Sequence, residues 1–360
     1  MAIPVYKIVS LLPVRMRKRL IYIIIMLLPA AIVYPQTGGD NVYEFLNLTH
    51  SSLVSSLGGS NVSLNNGDIN MAAQNPALLS PAMDRYLGIN YVNYFAGINY
   101  GQTLYSRSYQ KTGNFAAGLT YLNYGTFRET DESGNITGTF SAAEYAMSLI
   151  YSRSIDSLFS AGITLKPVLS HLEKYTSFGV AFDAGASYSS RNGLFSAGLV
   201  LRNIGIQLTT YTSGSRERLP FEIQAGITQR LKHAPLRFSL TARHLEKFDL
   251  TYTYRNKITG VTSQNTKNTF AEDLMRHLVI GAELIPHKNF YFSAGYNYQR
   301  RRELEIESKV STVGFSWGFG INTNLISVGF SRATYHLAGS TNNISLILKP
   351  EQLYRKIARK

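Results

Sequence analysis

The chain has 360 residues, enough for two ordinary domains or one large barrel, with 24 Tyr, 18 Phe, 29 Gly and no Cys. The missing thiols exclude a disulfide framework and Cys-ligated zinc or iron–sulfur sites, and a mean hydropathy near zero excludes a bundle of membrane helices. The net charge of +14 falls to +9 once the five cations of residues 1–35 are set aside, and the remaining Lys and Arg lie in or beside turns rather than along one stripe, which argues against nucleic acid.

Residues 1–35 read as an export signal. Arg15, Arg17, Lys18 and Arg19 form a positive start. Leu20 to Val33 is an apolar run short of the roughly 20 residues that a membrane helix needs. An N-terminal membrane anchor is the alternative reading, and cleavage is placed between residues 31 and 37. No second long apolar run follows.

Residues 36–85 are expected to form a small plug or hatch ahead of the first strand. Val42, Phe45, Leu46, Leu53, Val54 and Leu57 suggest a short amphipathic piece, and Gly58-Gly59 a break. Asn75, Pro76 and Ala77 mark a turn, since the residue before proline is pushed out of the helical region.

From residue 86 to residue 348, strand signals recur every 10 to 20 residues. The fourteen predicted strands span 86–95, 96–107, 112–124, 139–152, 157–170, 176–190, 193–204, 219–232, 235–245, 274–286, 289–300, 308–319, 323–333 and 341–348. Successive side chains of a strand point to opposite faces. In the most regular stretch, Val313, Phe315, Trp317, Phe319 and Ile321 alternate with Gly314, Ser316, Gly318 and Gly320. Phe221, Ile223 and Ile227 likewise oppose Glu222, Gln224 and Thr228, and Leu236, Phe238 and Leu240 oppose Arg237 and Ser239. Lipid rejects a basic residue near its midplane by roughly 2–4 kcal/mol, so the faces with Glu222, Arg230, Arg237 and Arg243 are assigned to a hydrated lumen. An even number of such strands predicts an all-β fold: a transmembrane antiparallel barrel of the outer membrane of a Gram-negative bacterium.

The predicted connections alternate in length. Short turns fall near Ser154–Asp156, Ser190–Gly193, His233–Ala234 and Pro286–Asn289, and long polar excursions near 126–138, 206–219 and 246–273. The longest carries Thr251, Tyr252, Tyr254 and Arg255, which are candidate partner contacts on a hairpin above the membrane, since loops this long carry function or are disordered. Arg300, Arg301 and Arg302 fall at a strand end and are a second candidate, for lipopolysaccharide or a partner; a plain charged loop is the alternative. Residues 349–360 read as a basic tail or short helix.

Two catalytic look-alikes fail on context. Gly314-Phe315-Ser316-Trp317-Gly318 matches the hydrolase elbow, which needs a strand-to-helix turn after the Ser; here the alternation runs on. Ser108-x-x-Lys111 and Lys111-Thr112-Gly113 share one Lys within what reads as a turn. The seven His show no paired metal spacing. No enzyme, metal site or cofactor is expected.

Several stretches carry a resemblance. Asp68-Ile69-Asn70-Met71-Ala72-Ala73-Gln74-Asn75-Pro76-Ala77-Leu78-Leu79 resembles the N-terminal signature of the PorV/PorQ branch of FadL-like barrels. Asn90 to Gly101, Arg276 to Leu284, Gly295 to Tyr298 with Arg301 to Leu304, and Gly314 to Ile321 look like the PorQ family in particular. The likeness covers residues 40–348. It implies a FadL-like barrel of the type IX secretion system. In that picture the barrel anchors a surface partner in the attachment complex, beside a PorV-like barrel, a PorU-like sortase and the surface protein PorZ, and it sits among outer-membrane lipid and lipopolysaccharide. The alternative is a FadL-like carrier of small hydrophobic molecules gated by residues 40–85.

Overall fold

A computed structural model describes residues 41–94, 97–109, 111–212, 214, 216–250, 254–255, 262–263, 269–304, 312–336 and 339–350. The expected export signal and the tail beyond Pro350 lie outside the described residues. In chain order the strands are β1 (Leu87–Asn93), β2 (Asn99–Tyr109), β3 (Gly113–Thr130), β4 (Ile136–Ser154), β5 (Phe159–Leu172), β6 (Tyr175–Ser189), β7 (Phe195–Thr209), β8 (Glu222–Arg230), β9 (Leu236–Ala242), β10 (Tyr254–Arg255), β11 (Thr262–Ser263), β12 (Leu278–His287), β13 (Phe290–Asn297), β14 (Phe315–Asn322), β15 (Ile326–His336) and β16 (Gly339–Leu348). Among the described residues, three short α-helices accompany them: α1 (Ser52–Ser56), α2 (Phe270–Arg276) and α3 (Tyr298–Leu304).

Fourteen strands, β1–β9 and β12–β16, close into one antiparallel barrel in sequence order. β9 pairs directly with β12, skipping the small β10–β11 hairpin, and β1 closes on β16 from Leu87↔Leu348 to Asn93↔Asn342. Closure pairs every strand edge, the condition for a sheet to cross lipid. Each anticipated strand has its counterpart.

The even count sends both ends of the barrel to one rim. That rim carries only the short connections 110–112, 155–158, 190–194, 231–235, 288–289 and 323–325. The opposite rim carries every long one, at 210–221, 243–277 and 298–314. Short periplasmic turns and longer extracellular loops are the outer-membrane pattern, so these are the turn rim and the loop rim, facing periplasm and cell exterior.

Side chains sort by parity. On β14, Phe315, Trp317, Phe319 and Ile321 are exposed outward, while Ser316, Gly318 and Gly320 are buried inward. On β8, Glu222, Gln224 and Thr228 are buried inward and Ile227 points out. An outer belt of Leu119, Met147, Leu149, Ile163, Leu199 and Ile227 is therefore the lipid face of an integral outer-membrane barrel.

Four expectations need correction. Val313 and Gly314 are not in the strand. They form a turn in which Gly314 takes φ +87° and Val313 is buried, so β14 begins at Phe315. The 126–138 excursion is a continuation of the sheet: β3 and β4 stay paired to Thr130↔Ile136 past a bulge between Asn123 and Thr126. Its turn is tied by Asp131, whose carboxylate accepts from the Ser133 and Asn135 N–H groups at 2.9 and 2.8 Å. The strand predicted over 289–300 stops at Asn297, and Arg300 to Arg302 lie on α3. The strand predicted from 274 begins at Leu278, because the preceding residues form α2.

Trp317 is the only Trp and sits on the outer face at 51 % exposure. In bilayers its emission is expected to be blue-shifted and quenched by acyl-brominated phospholipid. Emission at the wavelength of water-exposed indole, untouched by the brominated lipid, would contradict the assigned lipid face.

Candidate functional site

Residues 41–86 hold little regular structure of their own: α1 and four single 3-10 turns. Their shape comes from local caps and from the wall. Ser51 caps α1, Asp68 accepts from the Asn70 N–H at 2.8 Å, and Asn75 accepts from the Ala77 N–H at 3.0 Å with Pro76 in the first helical position. Gly58 and Gly59 take φ +100° and +95° to turn the chain after α1.

This segment crosses the lumen from rim to rim. At the loop rim the Val42 N–H donates to the Arg218 carbonyl at 2.9 Å, and the Tyr43 and Ser177 hydroxyls lie 2.5 Å apart. Phe45 and Leu46 pack there against Tyr100, Val168 and Leu219. At mid-height α1 lies on the β13–β16 wall: Ser56 Oγ is 2.6 Å from Ser293 Oγ, and Ser345 Oγ accepts from the Ser52 N–H at 2.8 Å. At the turn rim Asn65 donates to Ser189 Oγ at 3.0 Å, and Ser106 donates to the Met83 carbonyl.

The wall is shaped to receive that backbone. A Cβ on Gly162 would sit 2.5 Å from the Pro76 carbonyl carbon and 2.7 Å from the Ala77 nitrogen. Cβ atoms on Gly185 and Gly198 would collide with Asn75 and with the Val62 carbonyl, and one on Gly295 with Gly58 and Leu57. Cβ atoms on Gly281, Gly318 and Gly329 would meet the side chains of Leu57, Ser56 and Ser52. Inward glycines on opposite sides of the barrel thus form one seat. Asn75 is its centre: fully buried, it donates to the carbonyls of Val62 in the plug (2.9 Å) and Ala186 in the wall (3.1 Å). Asn75, Pro76 and Ala77, singled out in the sequence, are therefore a seating element.

Three pairs of charged lumen positions neutralise each other. Arg243 meets Glu222 through two bonds of 2.8 and 3.2 Å, and Arg237 meets Glu283 through two of 2.6 Å. Lys166 Nζ lies 2.7 Å from Asp183 and donates to Asn203 Oδ1 at 2.5 Å. Removing one member of a buried pair leaves the other charge uncompensated, at about 3–5 kcal/mol. Glu222→Leu is expected to lower stability by that order in urea titrations followed by Trp317 fluorescence, and Glu222→Leu/Arg243→Leu to recover most of the loss. Equal losses for both variants would show that the pair does not act as a unit.

Three cavities lie along the seam. Two clefts at the turn rim, of about 210 and 280 Å³, share Asn66, Lys288, Tyr291 and Asn322. Asp68 lines the first, where burial pushes its carboxyl up to about 6 against the pull of the Asn70 N–H and of Lys349. A third cavity, of about 30 Å³, lies between His50, Gln74, Lys166 and Arg202, room for water. His50 Nε2 and Arg202 Nε, both buried, have no hydrogen-bond partner of their own.

The loop-rim candidates are scattered. Thr251 and Tyr252 lie outside the described residues; Tyr254 and Arg255 form β10 and pair with Thr262–Ser263. Arg300 is not a rim cation: it is buried, its backbone N–H donates to Asn297 Oδ1 at 2.9 Å, and its guanidinium approaches the Gly58 carbonyl at 3.5 Å. Arg301 backs the Gly314 turn. Arg302 pairs with Glu272 of α2 and lies over the Tyr298 ring, tying the two rim helices together. Ser316, the elbow look-alike, is buried mid-strand and donates to the Ser56 carbonyl at 3.0 Å. Ser108 donates to Asn114 at 2.5 Å. No group of three His, Cys, Asp or Glu that could hold a metal occurs among the described residues.

No protein-family model and no curated protein matches the chain. Solved structures do. The Ralstonia pickettii toluene transporter TbuX aligns over 84 % of this chain and 98 % of its own, with TM-score 0.51 and 11 % identity. The P. putida toluene transporter TodX aligns over the same shares with TM-score 0.50 and 11 % identity. A Pseudomonas aeruginosa FadL homologue aligns over 83 % and 98 %, with TM-score 0.45 and 13 % identity. At such identities the likeness concerns the fold, and the fold is that of a FadL-like, fourteen-stranded outer-membrane barrel.

Proposed function

We propose that the chain is a non-enzymatic, permanently plugged barrel of the type IX secretion system, anchoring a surface partner at its loop rim. The observation that carries this reading is the glycine seat. A plug whose backbone is pressed against glycines on opposite walls is built in rather than hinged. The three described cavities along the seam, of about 30, 210 and 280 Å³, have polar groups throughout their linings, unlike mainly apolar ligand sites. The resemblance of residues 68–79 and 90–101 to the PorV/PorQ branch supplies the system, and the PorZ-like, PorU-like and PorV-like proteins are the expected partners. Co-purification from outer membranes in mild detergent tests it: wild type retains surface proteins of this kind, and deletion of residues 250–270 releases them. A barrel that purifies alone in both forms sinks the reading.

A second reading is transport of small hydrophobic molecules. The structural comparisons favour it, since TbuX and TodX, which share this fold with TM-scores of 0.51 and 0.50, are toluene transporters. It requires the plug to move or open, which makes the two readings separable.

A further inference from the structure

Basic residues scattered along the sequence converge on the turn rim, next to an aromatic band on the outer wall. Tyr109, Phe115 and Tyr151 form one run of ring contacts (6.0 and 5.1 Å), and Phe159, Tyr188 and Phe195 a second (5.1 and 6.2 Å). All six sit within a few residues of the turn-rim ends of β2–β7. Aromatic bands of this kind mark the level where acyl chains meet headgroups. Lys111, Arg153 and Arg191 come just beyond the band, and Arg107 lies within it, in register with Phe115. Arg107 lies over the Tyr109 ring at 5.7 Å, Arg153 shares the outward face of Tyr151, and Lys111 and Arg191 occupy the turns.

Their charge is largely unspent. Lys111, Arg153 and Arg191 have no ion-pair partner among the described residues, and Arg107 has only Asp84 at 3.8 Å. The one acid in the turns of this arc, Asp156, is already used by its own turn: it accepts from the Leu158 and Phe159 N–H groups at 2.7 and 2.8 Å. At the loop rim, among the described residues, Lys174 pairs with Glu173 and Arg302 with Glu272. Three unpaired cations one step outside the aromatic band, with Arg107 reaching along the Tyr109 ring, sit at headgroup depth, where a phosphodiester neutralises them while its acyl chains lie along the band. Long basic side chains reach such headgroups with their stems on apolar surface.

We propose that the arc over β2–β7 at the turn rim is a binding site for anionic phospholipid of the periplasmic leaflet, read through its phosphate and independent of whether the barrel anchors or transports. The test is native mass spectrometry of the delipidated full chain in mild detergent, titrated with phosphatidylglycerol or phosphatidylcholine. Wild type is expected to take up phosphatidylglycerol about tenfold more tightly. Arg107→Gln/Lys111→Gln/Arg153→Gln/Arg191→Gln should bring the two lipids within twofold, and the turn-only variant Lys111→Gln/Arg191→Gln should give a partial loss. Arg107→Lys/Arg153→Lys/Arg191→Lys keeps the preference, as does the loop-rim control Arg128→Gln/Lys174→Gln. Equal binding by wild type, or a preference that survives the quadruple variant, overturns the site. Lipid A displacing phosphatidylglycerol from the same four residues would overturn the assignment to the periplasmic leaflet.

Discussion

Gly295→Val is expected to abolish the folded barrel. The position faces inward on β13, and its Cβ would collide with the Gly58 nitrogen and the Leu57 carbonyl carbon, with the Ser56 carbonyl next at 2.7 Å. These are backbone atoms of the plug, tied to this wall through Ser52 and Ser56, so they cannot give way as a side chain can. Overpacking a tight core costs about 1–3 kcal/mol where side chains can adjust, and more where they cannot. The readout is the fraction of chain that shows heat-modifiable migration after refolding in detergent, expected to fall close to zero. Gly214→Ala is the control: its nearest neighbour, Thr212, would be 3.9 Å from the new Cβ, and folding should be unchanged. A Gly295→Val barrel that folds and resists urea like wild type would mean that the plug sits loosely.

Asn75→Ala is expected to cost about 3–5 kcal/mol. The side chain satisfies three backbone groups: the buried Val62 carbonyl and Ala77 N–H, and the part-buried Ala186 carbonyl. Leaving a buried polar group without a partner costs about 1–3 kcal/mol each, and a carbonyl less when it keeps another bond. Asn75→Asp should be at least as severe, because a carboxylate has no hydrogen to give either carbonyl and turns two attractions into repulsions. Urea midpoints followed by Trp317 emission would check the order wild type, then Ala, then Asp. An Asp variant as stable as wild type would remove Asn75 from the centre of the seat.

The barrel was legible in the sequence because its two faces meet different solvents. Phe315, Trp317 and Phe319 against Ser316, Gly318 and Gly320 read as a strand with one apolar face, which a soluble core could also bury; it was the charges at Glu222 and Arg237 on the opposite face of like strands that turned the apolar side to lipid. What fills the lumen was harder to read. Gly162, Gly185, Gly198 and Gly295 are small whether water or a backbone lies opposite, so their purpose appears only when Pro76, Asn75, Val62 and Gly58 are placed against them. The ion pairs were hidden for a related reason. Glu222 and Arg243 were each assigned to the lumen, but their meeting depends on register across β8 and β9. Glu283, on β12, reaches Arg237 across a gap of 46 positions. Arg300 was misplaced because three adjacent arginines read as a solvated rim, whereas α3 turns the first of them inward to the Gly58 carbonyl. Among the candidate contacts, Thr251 and Tyr252 lie in the one long connection whose alternation is too weak to assign to either face.

The central claim, that the plug is a fixed seat, is tested most directly by locking it. The chain has no Cys, so Ser56→Cys/Ser293→Cys introduces a single pair at hydroxyls 2.6 Å apart, within reach of a disulfide. The measurement is uptake of a radiolabelled monoaromatic hydrocarbon by intact cells carrying this barrel, oxidised and then reduced. A fixed plug predicts uptake equal to that of cells without the barrel in both states. Uptake above that level in the reduced form, falling to it on oxidation, would contradict the fixed seat and establish a moving gate.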